Sequence, residues 1–76
     1  MELLDDPDFR TVSLAFPKLG VKIRAAWGTA EFAALMDSLL LDDTRERPRA
    51  GFSAAVFFAL AELTNRHTQD FPDLAR

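Results

Sequence analysis

Apolar residues recur every three or four positions through most of the chain, and proline and glycine divide that rhythm into segments. The breakers are Pro7, Pro17, Gly28, Pro48, Gly51 and Pro72. The first segment runs from about Pro7 to Phe16. Asp6 suits its N-cap, Pro7 its first helical position, and Asp8 the positive end of the helix dipole. Phe9, Val12 and Phe16 would form its apolar side. Val12, Leu14 and Phe16 also alternate as a strand would, but no second strand exists to pair with it, which favours helix.

The second segment, Pro17 to Trp27, carries Leu19, Ile23, Ala26 and Trp27 on one stripe. Lys18, Lys22 and Arg24 fall away from the stripe, and Gly28 is a natural stop. Gly20 weakens this helix by about 1 kcal/mol relative to alanine. The third segment, Thr29 to about Leu41, has the clearest pattern. Phe32, Leu35, Met36, Leu39 and Leu40 share one face, and Glu31, Asp37 and Ser38 the other; Gly28 or Thr29 can cap it.

Residues 42–51 read as a charged loop containing Asp42, Asp43, Arg45, Glu46, Arg47 and Arg49. The last helix begins at Ser53, a good N-cap, with Phe52 and Phe57 at the two positions of a hydrophobic staple. Val56, Phe57, Leu60, Leu63, Thr64 and His67 then make one stripe. Phe71 and Leu74 could pin a tail that otherwise reads as frayed. Together the segments predict an all-α fold, a compact bundle of three to four short helices. They form a single domain over residues 1–76, with about 1–6 and 69–76 as flexible or loosely packed ends.

Composition narrows the chemistry. The 76 residues include no cysteine and one histidine, so disulfides, thiolate metal sites and multi-histidine metal sites are excluded. A chain this short has a marginal core, and self-association is one remaining route to stability. The net charge of −3 argues against a duplex-binding domain, which normally carries a basic surplus. Met1-Glu2-Leu3-Leu4-Asp5-Asp6 lacks the basic start and apolar run of a signal peptide. No apolar run approaches the length of a membrane span. A cytoplasmic address and no membrane partner are therefore expected.

Nothing in the pattern assembles a catalytic site or a cofactor site. The serines are Ser13, Ser38 and Ser53, and none lies in a nucleophile elbow. His67 lies on the apolar stripe near a helix end, where packing or capping explains it. An enzyme would have to use it with a carboxylate such as Asp70. Asp5-Asp6 and Asp42-Asp43 sit at segment ends, where capping and solvation account for them. The scattered Gly20, Gly28 and Gly51 form no phosphate loop. No metal or cofactor is expected.

The anomaly is apolar. On the last helix Phe58 lies about 200° round from Val56, opposite the stripe, among Ala54, Ala61 and Asn65. Either this helix is central and wrapped on both sides by its own chain, or another chain covers its second face. Val21 is similarly off-stripe on the second helix. The leading expectation is a non-enzymatic protein–protein interaction module that self-associates, as a homodimer, through Phe58, Ala54 and Ala61. Arg45, Arg47 and Arg49 would supply polar selectivity for an unidentified protein partner. The alternative is a small regulator touching nucleic acid through Arg10, Lys18, Lys22 and Arg24.

Overall fold

A computed structural model describes residues 3–40 and 52–75. It is all-α, and among the described residues four α-helices are flanked by a 3₁₀ turn at either end. A 3₁₀ turn at Leu3–Asp5 leads into α1 (Pro7–Ala15). Then come α2 (Pro17–Ala26), α3 (Glu31–Leu40) and α4 (Ala54–Asp70), and a second 3₁₀ turn at Pro72–Ala75.

The local signals act as the residues dictate. Asp6 Oδ1 accepts hydrogen bonds from the backbone N–H groups of Asp8 (2.8 Å) and Phe9 (3.3 Å), capping α1. Ser53 Oγ accepts from Val56 N–H and caps α4. Pro17 opens α2 directly after Phe16, which leaves the helical region at φ −138° and ψ 82°. The first segment is helical. Leu14, which strand alternation would have placed beside Val12 and Phe16, is 79% exposed. Helix α3 starts two residues later than the pattern predicts. Trp27 to Ala30 form a turn in which Gly28 takes a positive φ of 77°. Thr29 closes the end of α2, its Oγ1 donating to the Ala26 carbonyl at 2.7 Å.

The helices pack as a ring: α1 on α2, α2 on α3, α3 on α4, and α4 back on α1. Helices α2 and α4 therefore face each other across the bundle. Between them lies one core of Phe9, Val12, Ile23, Phe32, Met36, Val56, Ala59, Leu60 and Leu63. The stripe on α4 is rotated slightly from the sequence reading. Ala59 is buried, while Phe57 and Thr64 are half-buried.

Gly20 also needs a different explanation. It is buried, and a Cβ there would collide with the Ser13 hydroxyl and press on the Ser13 Cα at 3.2 Å. The glycine lets α1 and α2 approach closely at the corner around Phe16, a packing gain set against its poor helix propensity.

Asp6 and Phe71 mark where the packing differs from loose ends. Asp6 is buried at 2% exposure, and α4 stays helical through Asp70. Phe71 closes α4, its backbone N–H donating to the His67 carbonyl, and its ring lies against Gly28 and edge-on to Trp27. Among the described residues no helix is long and apolar enough to cross a membrane.

Candidate interaction site

Helix α4 has two faces with opposite fates. Its inner face carries Val56, Ala59, Leu60, Leu63 and His67 into the core. Its outer face carries Ala54, Ala55, Phe58, Glu62, Asn65 and Gln69, all exposed. Phe58 is 68% exposed, and its ring meets Phe57 edge-on at 6.4 Å. Of the two explanations open at the sequence level, wrapping by the described chain does not hold for Phe58. Ala54 is exposed beside it, and Ala61 is half-buried one turn on. The structure thus brings Phe58, Ala54 and Ala61 to one helix face. Arg45, Arg47 and Arg49 lie outside the described residues.

His67 is held by packing and one hydrogen bond. His67 is 6% exposed and stacks on Phe32, with ring centroids 4.2 Å apart. Trp27 meets it edge-on at 5.0 Å, and Phe71 is tilted against it at the same distance. Its Nε2 accepts a hydrogen bond from Gly28 N–H at 3.1 Å. That geometry requires Nε2 to be unprotonated and puts the imidazole proton on Nδ1. Burial pushes its pKa below the ordinary value of 6.5, while the Asp70 carboxylate opposes this more weakly. His67 thus fastens the α2–α3 turn to α4.

The acidic group at the N-terminus has a similar fate. Asp6 caps α1 and forms an ion pair with Arg66 of α4. Asp8 accepts a second bond from Arg66 Nη2 at 3.2 Å. Arg66 was not singled out by the sequence reading. The available signal was an arginine one position before His67, on the flank of the buried stripe, with an uncommitted acidic cap elsewhere in the chain.

Among the described residues the exposed cations gather on α1 and α2. Arg10, Lys18, Lys22 and Arg24 are all at the surface, and no acidic residue occurs within α2. Val21, at 69% exposure, sits among them. Two open grooves border this helix. One, of about 530 Å³, is lined by Lys22, Ala25, Ala26, Thr29, Glu31 and Leu35. The other, of about 490 Å³, runs along Ala15, Phe16, Pro17, Lys18 and Leu19. No family model, curated protein or solved structure matches the chain.

Proposed function

We propose that this protein is a non-enzymatic interaction module that self-associates through the outer face of α4, with a homodimer as the smallest assembly. The observation that supports this most is the position of Phe58. A large aromatic ring stands in solvent at the centre of an alanine-rich face, opposite a well-filled core stripe. One exposed phenylalanine is unremarkable alone. Here small neighbours let a second helix approach closely, and aromatic residues are enriched at the centres of protein interfaces. The role of Arg45, Arg47 and Arg49 as a polar selectivity element for a further protein partner belongs to the same proposal.

Sedimentation of wild type beside Phe58→Asp tests it. Wild type is expected to associate as concentration rises, and the variant to remain monomeric with unchanged helical circular dichroism. A wild type that stays monomeric throughout would refute the proposal.

A second reading, contact with nucleic acid, draws on the four exposed cations of α1 and α2. It predicts binding to duplex or single strands that falls steeply with salt. No shift at low salt would remove it.

A further inference from the structure

We infer that the face receiving α4 is the outer face of α2 on the next copy, so that copies join head to tail rather than α4 to α4. This rests on the self-association reading above and specifies its partner surface.

Among the described helices charge is unevenly distributed. Arg66 is engaged by Asp6 and Asp8, which leaves Arg10, Lys18, Lys22 and Arg24 as the exposed cations of the described helices, all on α1 and α2. The exposed acids of the described helices lie on α3 and α4, at Glu31, Asp37, Glu62 and Asp70, and two more, Asp5 and Asp73, stand in the 3₁₀ turns at the two ends. The face around Phe58 includes Glu62 one turn on and no cation. Two such faces packed together would set Glu62 of each copy against a face whose described residues include no cation. The α2 face offers the complement. Val21 stands exposed with Lys18 and Arg24 one turn away on either side and with Lys22 and Ala25 beside it.

An exposed phenylalanine with a glutamate would thus meet an exposed valine ringed by cations. The apolar pair supplies contact area, and the charges select orientation and exclude the α4–α4 alternative. Because α2 and α4 lie across the bundle from each other, a copy that gives α4 to one neighbour keeps α2 free for another. Such a contact is heterologous and continues until it closes into a ring or is capped.

Complementation tests this directly. Phe58→Lys sets a cation against the α2 cations, disabling the α4 face and leaving α2 intact; Val21→Glu sets an acid against Glu62, disabling α2 and leaving α4 intact. Both residues are exposed, so both variants keep the fold, and circular dichroism checks this. Each variant alone is expected to lose at least about tenfold in association affinity. An equimolar mixture is expected to form a one-to-one pair that grows no further. Wild type is expected to grow past twice its 8.5 kDa mass. If Val21→Glu associates like wild type while Phe58→Lys does not, and the mixture gains nothing, the contact is α4 to α4. The head-to-tail inference then fails while the self-association reading survives. If wild type never associates, both fail.

Discussion

The two faces of α4 show how one helix can be governed by different physics on its two sides. The inner face is tied down three times. Leu60 and Leu63 are fully buried, His67 holds the α2–α3 turn, and Arg66 on its flank holds the cap of α1. The outer face has an exposed aromatic ring, alanines and a single acid. Inner substitutions should therefore register as lost stability, and outer ones as lost association at constant stability. Each variant below can break that division.

The largest effect is expected at Leu60. Leu60→Ala removes a fully buried side chain from the centre of a small core and should cost about 2–5 kcal/mol. Chemical denaturation measures it. For a domain this small, that loss approaches the whole stability. A loss under about 1 kcal/mol would mean the core is not organised around α4.

Next come the two glycines that shape the helix corners. Gly20→Ala in an ordinary helix would gain about 1 kcal/mol. Here the added methyl meets Ser13, and a loss of about 1–3 kcal/mol is expected instead. Gly28→Ala imposes a side chain at φ 77° with the Phe71 ring 3.3 Å from the new Cβ, so destabilisation of about 1 kcal/mol or more should follow. Thermal unfolding of both variants gives the signs, and a stabilising Gly20→Ala would contradict the close approach of α1 and α2.

His67 gives a smaller, pH-dependent effect. Its folded pKa lies below 6.5, so above that value it is neutral in folded and unfolded chains and its contribution is complete. As pH falls below 6.5 the unfolded chain takes up a proton first. Stability then declines until the lowered folded pKa is reached. Protonation would set an N–H against the Gly28 N–H and break that bond. In His67→Gln the decline as pH falls below 6.5 should flatten, as followed by denaturant midpoints across pH. An unchanged slope would place the titrating group elsewhere.

What the sequence could reveal followed from distance along the chain. Caps at Asp6 and Ser53, the start at Pro17 and the stop at Gly28 involve residues a few positions apart, and local chemistry specifies them. The faces of α1 to α3 were legible for the same reason, since period alone orients a helix. Ala59 was missed because alanine carries little weight in such a pattern, yet it is buried. The ties that fasten the ring were not legible. Gly28 and His67 are 39 residues apart, and Asp8 and Arg66 are 58 apart. Gly20 read as a defect because the residue that requires it, Ser13, lies on another helix. At the outer face, the off-stripe position of Phe58 was visible from spacing, and the structure adds that no described segment covers it. The charge partition between α2 and α4 emerged only once Arg66 was seen to be engaged.

The smallest effect on stability, and the largest on assembly, belongs to Phe58→Asp. As a surface change it should alter unfolding free energy by no more than about 0.5 kcal/mol. Light scattering on a sizing column, run over a dilution series of wild type and this variant, tests the division of α4 most directly. Wild type should rise above 8.5 kDa with concentration, while the variant stays at that mass with the same denaturation midpoint. A Phe58→Asp chain that unfolds, or that associates as wild type does, would show that the outer face of α4 is not where this molecule meets its neighbours.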